Sequence, residues 1–404
     1  MRVLVIGAGP AGTRCAVRLA RRLPPGGTTV TLAGAEAALP YDRVALSRLL
    51  SGEAEVPALI THRHADLAAL GIRYRPATAI AALDRAAGVA VTAKGEAIPY
   101  DRLVLATGAR ALRLPLPGAG LPGVVPYRDL EDVRAMLRAA LDPGAPAVVI
   151  GGGLLGLEAA TGLAARGMRV TVVHAVDWPM ERQLDAEAGA LLARRIGGRG
   201  VRFVMPAHSV AIEGEGRAGA VRLSDGRRIP ARLVVMAVGI RPDTDLARAA
   251  GLEVGRGIVV DAAMRTSDPR IHAIGECSEH EGRTIGLVAP ALEQAEVAAA
   301  AIAGESGAAW APRRADAAAL KVSGTAVWSA GEVAAAGAEA ITLRDEAEEE
   351  YRRLWLRDGR LVGAVLYGDT ADSGFYLDLI ASGHPVAAIR AALAFGPAYA
   401  GGVA

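Results

Sequence analysis

The stretch RVLVIGAGPAG, residues 2–12, runs a short β-branched segment into a glycine-rich turn, and AVVIGGGLLG, residues 147–156, repeats the plan. Each is followed by an alanine- and leucine-rich segment of helical character. A second β-branched run then follows, VTLAG at 30–34 or VTVVH at 170–174. Strand, turn, helix and strand in that order make a βαβ unit. Two such units predict two dinucleotide-binding folds in one chain.

The glycine spacing has a chemical reason. Gly7, Gly9 and Gly12 form GxGxxG after a strand, with Pro10 opening a helix, and Gly151, Gly153 and Gly156 repeat it with Leu154 in the place of the proline. The first glycine permits the turn, the second lets the backbone approach a pyrophosphate, and the third packs helix on strand. The phosphate charge then faces the helix N-terminus. A lone GxGxxG is weak, but a strand before, a helix after and a second copy make coincidence improbable.

The carboxylate that commonly takes ribose hydroxyls belongs at the end of the second strand. In the first unit the nearest candidate is Glu36, which sits late; a solvated loop glutamate is the competing reading. In the second unit His174 stands at the strand end with no arginine until Arg182, and Glu158, two residues after Gly156, lies one turn inside the helix. A 2′-phosphate asks for nearby basic residues, so their absence favours NADH over NADPH. Two dinucleotide sites in one chain suggest hydride transfer between a nicotinamide and a flavin.

Working outward, GVAVTAKGEAIPYDRLVLATGAR (88–110) reads as a small antiparallel meander returning to a strand that ends in ATG, and AVRLSDGRRIPARLVVMAVGIRP (220–242) repeats that pattern. Past residue 245 the chain returns to the first fold, with a helix near Pro290. Residues 306–315 read as a linker. The expected fold is α/β: one dinucleotide-binding domain from 1–112 and 245–312, a second from 113–244, both Rossmann-like, and a small C-terminal α+β domain from 313–404.

Composition excludes several classes. The chain has 404 residues with 52% hydrophobic and 22% charged content, which suits two or three packed domains of a soluble protein. A net charge of +2 gives no long-range field for nucleic acid or an anionic membrane. No apolar run reaches the ~20 residues a spanning helix needs. The N-terminal charge and apolar run could pass for a signal peptide, but the spaced glycines favour a nucleotide-binding start. Cys15 and Cys277 are the only cysteines, too few for an iron-sulfur cluster or cysteine zinc site, and the compartment is expected to be the cytoplasm. His62 and His64 lack a third ligand nearby, so no metal site is expected.

The stretches LPYDRVALSRLL (39–50), HAVDWPMERQLD (174–185), 237–295 and LKVSGTAVWSAGE (320–332) carry a resemblance. Residues 1 to about 305 resemble the two-dinucleotide flavoprotein family that includes pyridine nucleotide-disulfide, ferredoxin and rubredoxin reductases. More narrowly, the quoted stretches resemble the flavin-containing N-terminal part of assimilatory nitrite reductase and the electron-transfer subunits of assimilatory nitrate reductase. The resemblance implies FAD at the first fingerprint and NADH or NADPH at the second. It implies FAD contacts at Thr107, Gly108, Gly275 and Glu276, and a helix begun near Leu287 and Val288 that is aimed at the flavin ring. Arg43 and Gly239 join the implied cofactor contacts.

Related reductases set a lysine against a glutamate at the flavin face. The corresponding residues are Arg48 and Glu158, expected as a catalytic ion pair. An arginine that often follows the ATG motif falls at Leu112, with Arg110 and Arg113 as substitutes. Unlike the disulfide reductases, residues 41–47 hold no cysteine, so a thiol relay is unsupported. Cys15 reads as core and Cys277 stays open. Trp328 and Trp355 read as core, His272 as structural, and Tyr376 as core or flavin-facing.

The implied function is a FAD-dependent NAD(P)H oxidoreductase. It would pass electrons to a separate redox protein, of iron-sulfur or metalloprotein type. Alternatives are direct reduction of dioxygen or a quinone-like molecule, and a non-catalytic nicotinamide-responsive flavoprotein. The iron-sulfur and siroheme segments of nitrite reductase are not in these residues, so nitrite reduction by them alone is not expected. The chain is expected as a monomer or homodimer. The acidic run DEAEEE (345–350) reads as a solvated face, or as a patch that steers a basic partner.

Overall fold

A computed structural model describes residues 1–24, 26–312, 317–322 and 324–400. Residues 313–316 of the expected linker and domain boundary lie outside that description. The first sheet is parallel throughout, in the order Ile271–Ala273, Arg102–Leu105, Arg2–Ile6, Thr29–Ala33, Ile72–Arg75. Its central strand is buried from Val3 to Ile6, which is why it reads as an unbroken apolar run. One strand of this sheet comes from residue 271 onward, so the chain leaves the fold and re-enters it.

The helix Pro10–Arg22 packs Cys15, Ala16 and Leu19 inward. It lies along the helix Val288–Ala303, whose small face of Ala295, Ala298 and Ala299 lets the two axes approach. Arg14, Arg18 and Arg22 share Glu296 across that seam at 3.4, 2.5 and 3.2 Å.

The second sheet repeats the scheme: Val201–Val204, Arg169–Val173, Pro146–Ile150, Leu233–Met236, Val124–Pro126, again parallel. Each fold carries a three-stranded antiparallel sheet, at residues 80–99 in the first and 209–230 in the second. A two-stranded antiparallel link, Ala109–Ala111 with Ile240–Pro242, joins the two folds.

The C-terminal unit is a five-stranded antiparallel sheet, Ala317–Val322, Thr325–Gly331, Arg360–Tyr367, Glu350–Arg357, Glu339–Asp345, with the helix Ser373–Ser382. Alternation along Glu350–Arg357 explains its seat. Tyr351 and Trp355 join the core of the second fold, whereas Leu354 and Leu356 pack with the buried Tyr376 on the other face. Trp328 and Trp355 are core, as expected. Tyr376 lies within this unit, its hydroxyl donating to Leu393 O at 2.8 Å, and that disposes of the flavin-facing alternative. No helix among the described residues is long and apolar enough to cross a membrane.

Candidate functional site

Two of the three glycines in each fingerprint are closed by backbone. A β-carbon on Gly7 would lie 2.1 Å from Ala106 O, and one on Gly12 would lie 1.9 Å from Gly7 O. The second copy repeats this, with Gly151 at 2.3 Å from Ala237 O and Gly156 at 2.0 Å from Gly151 O. The outer glycines differ: a β-carbon on Gly9 or Gly153 would meet nothing within 4 Å. Both outer glycines are extended N-caps and, having no side chain, offer no cap to the first helical N–H groups, at the entry to Pro10–Arg22 and to Leu154–Ala165. Open space in front of unpaired N–H donors is a cradle for a pyrophosphate. The residues therefore fit one dinucleotide at each turn.

Around the first turn the strand ends converge. Gly275 sits between the two helix starts, its would-be β-carbon 3.3 Å from Ala11 Cβ and 3.8 Å from Ala291 Cβ. Its N–H donates to the buried Gln294 Oε1 at 2.7 Å. Glu276 next to it forms an ion pair with Arg128, and a β-carbon on Gly108 would face both partners at 3.7 Å. Thr107 Oγ1 donates to Asp243 O at 2.7 Å. Glu36 is not free: its carboxylate accepts from Arg43 Nη2 at 2.5 Å and from Tyr41 Oη at 2.7 Å. Arg43 Nη1 also donates to Arg128 O at 2.8 Å, so Glu36, Arg43, Gly108, Gly275 and Glu276 form one connected group.

Arg128 is the residue that sequence reasoning missed. The resemblance points to Arg110 or Arg113, beside the ATG strand, as the substitute arginine. Arg110 is exposed and spent on Asp243 and Asp245, both at 2.8 Å. Arg128 arrives from the edge strand of the second fold, and its backbone N–H is held by Asp132 in the capping box that starts the helix Leu130–Ala139. Its Nε has no partner. The DLED capping signal after Arg128 marked a rigid helix entry, but linear order did not show that this entry faces the first fold.

The expected Arg48–Glu158 ion pair does not form. The short helix Leu46–Ser51 turns Leu46, Leu49 and Leu50 inward, and Leu50 packs against Gly162 of the second fingerprint helix. That leaves Arg48 exposed. Glu158 is half-buried with no ion-pair partner among the described residues, and desolvation pushes its carboxyl up to about 7. Its neighbour is Tyr127, whose buried hydroxyl has no partner and whose phenol is pushed up by burial and then by the Glu158 charge. Tyr127 and Arg128 are consecutive, so one segment reaches both the Glu158 helix and the first turn.

Other expectations find their places. Leu287 caps the helix that starts at Val288, and both side chains are exposed at the open end. Gly239 O accepts from Leu112 N–H at 2.9 Å, and Ile240 lies against Gly286, which brings the link between the folds beside that helix entry. His174 is buried and its Nδ1 accepts from Gly152 N–H at 3.0 Å. His62 is half-buried and His64 is exposed with its ring tilted against Tyr74, and no group of metal-ligating side chains occurs among the described residues. His272 is buried with neither ring nitrogen bonded. Cys15 and Cys277 are free and buried. In the acidic run Glu349 pairs with Arg195 of the second fold at 2.6 Å, and Glu346 with Arg344 at 2.9 Å.

Comparison with known proteins places this geometry. Residues 1–301 match the model of the pyridine nucleotide-disulphide oxidoreductase family, and 317–384 match that of the rubredoxin NAD+ reductase C-terminal domain. The chain is 36% identical over 381 residues to the assimilatory nitrate reductase electron transfer subunit of Bacillus subtilis, covering 93% of this chain and 49% of that protein. It is 35% identical over 314 residues to the rubredoxin-NAD(+) reductase of Pseudomonas putida, covering 76% and 81%. A solved ferredoxin reductase from Rhodopseudomonas palustris superposes with a TM-score of 0.84 at 32% identity, covering 93% of each chain. The chain spans about half the length of the nitrite and nitrate reductase relatives it matches. With paired glycine turns, a discontinuous first fold and three quarters of its length inside one family model, the chain belongs to the pyridine nucleotide-disulphide oxidoreductase family.

Proposed function

We propose that the chain is a FAD-dependent NAD(P)H oxidoreductase that delivers electrons to a separate redox protein. The observation that carries the reading is the pair of equivalent turns, each with an open outer glycine in front of unpaired helix N–H groups. FAD belongs at the first turn and the nicotinamide dinucleotide at the second. The bound flavin would supply hydride acceptance and the release of electrons singly or as a pair.

The protein's residues supply alignment and charge. The N–H groups after Gly9 and the Arg128 guanidinium hold phosphate, and Arg43 keeps Glu36 ordered at the adenosine end. The N-terminus of Val288–Ala303 offers positive potential to charge that develops on the flavin ring. Glu158 can hold or release a proton near neutral pH. Exposed Leu287 and Val288 leave an apolar lip for a partner to cover. The relatives named for ferredoxin and rubredoxin reduction support an iron-sulfur or metalloprotein acceptor. Two free thiols suit a cytoplasmic location.

The test is anaerobic titration of the flavin-reconstituted protein with NADH and NADPH, followed by addition of rubredoxin or ferredoxin. Bleaching of the flavin band and its return on adding the acceptor are expected. A flavin that stays oxidised under excess of both nucleotides sinks the proposal. Turnover that dioxygen sustains equally well without a protein acceptor removes the partner.

A further inference from the structure

We infer that Glu181, braced by the buried His174, reads the adenosine ribose in the second crevice and selects a dinucleotide with a free 2′-hydroxyl over one with a 2′-phosphate. The inference rests on the nicotinamide assignment of that crevice.

His174 occupies the end of the second parallel strand, where the ribose carboxylate of such folds belongs. It is 8% exposed. The ring lies against the glycine turn so closely that a β-carbon on Gly152 would stand 2.8 Å from Cγ. With Nδ1 accepting from Gly152 N–H, the proton of the neutral ring sits on Nε2. That nitrogen lies 3.2 Å from Glu181 Oε2, out of line for a full hydrogen bond, and has no other partner.

The carboxylate is held from its backbone side as well. Met180, fully buried at φ 57°, donates its N–H to Gly152 O at 3.0 Å. One residue of the fingerprint, Gly152, thus fixes His174 through its N–H and the Glu181 loop through its carbonyl. Glu181 remains one-third exposed, so its oxygens are open to a ligand. Arg182, the one arginine paired with it among the described residues, is 86% exposed and 3.9 Å away, which builds no fork for a phosphate. A carboxylate accepts from both ribose hydroxyls, whereas a 2′-phosphate would meet like charge beside a buried ring. The acid comes from seven residues beyond the strand end, where a histidine stands at the usual position.

ADP-ribose and 2′-phospho-ADP-ribose carry the ribose distinction without a nicotinamide, so calorimetric titration into the flavin-loaded protein reads recognition without turnover. The native protein should bind ADP-ribose at least about tenfold more tightly, the size of a modest specificity term. Glu181→Gln should narrow that ratio severalfold, Glu181→Asp should retain the preference, and Arg182→Ala should leave the ratio unchanged. A native ratio near one, or one that Glu181→Gln does not move, overturns the role of Glu181 and leaves the oxidoreductase reading standing. Binding of neither ligand overturns the nicotinamide assignment and this inference together.

Discussion

At the scale of single residues, the two kinds of fingerprint glycine should fail differently. Gly9 has an ordinary φ of −73° and open space around it, so Gly9→Val costs the apoprotein little and obstructs only the approach of phosphate. Gly12→Val drives a side chain into Gly7 O and should cost on the order of 3–5 kcal/mol. The expected outcome is a Gly9→Val protein with near-native melting that purifies without flavin, and a Gly12→Val protein that melts early or fails to accumulate. Equal melting of the two would refute the distinction.

Glu158 gives a pH prediction whose sign follows from burial. Its folded-state carboxyl is raised to about 7 from an unfolded value of ~4.3. Stability is therefore full below the unfolded value and is lost as pH rises through 7. Glu158→Gln should match the native melting temperature near pH 4 and exceed it at pH 8. The gain should be on the order of 1–2 kcal/mol after allowance for partial exposure. A melting difference that is flat across that range would show the carboxylate to be well solvated.

At the scale of elements, Asp185 joins two units through one carboxylate. Oδ1 caps the helix Ala186–Gly197 by accepting from Ala188 N–H at 3.3 Å. Oδ2 accepts from Tyr351 Oη at 2.6 Å and from Arg353 Nη1 at 3.0 Å, both on the C-terminal sheet. Asp185→Asn keeps a competent cap and leaves Arg353 without its counter-charge. A loss of about 2–3 kcal/mol in urea unfolding is expected, with flavin content unchanged. A change below about 0.5 kcal/mol would mean that apolar packing alone seats the sheet. Alternation in YRRLWLR (351–357) is the mark of a strand, but it does not show that the Tyr351 and Trp355 face is covered by a second domain. Periodicity shows that a face is buried and does not name what buries it.

At the scale of the molecule, electron transfer should be independent of sulfur. Both thiols are fully buried, and burial pushes Cys15 up to about 12 and raises Cys277 as well. Replacing both by alanine should leave NADH-dependent flavin reduction within about twofold of native in stopped-flow measurements, since neither can form a thiolate readily. A loss of more than tenfold with folding intact would require a sulfur intermediary.

The sequence by itself determined the two βαβ units, the glycine geometry, the return of the chain to its first fold, and the third unit. Each of these is a local pattern: strand and helix periods, and glycines set by clashes with carbonyls a few residues away or on the adjacent strand. Tertiary structure alone decided which charges meet. It withdrew Arg48 from Glu158 because a short helix had to bury its leucines. It brought Arg128 from the second fold to Glu276 of the first, and set Glu181 beside His174 through one shared residue, Gly152. Apolar burial follows short-range pattern, whereas an ion pair depends on where two rigid bodies place their surfaces, and no interval along the chain encodes that distance.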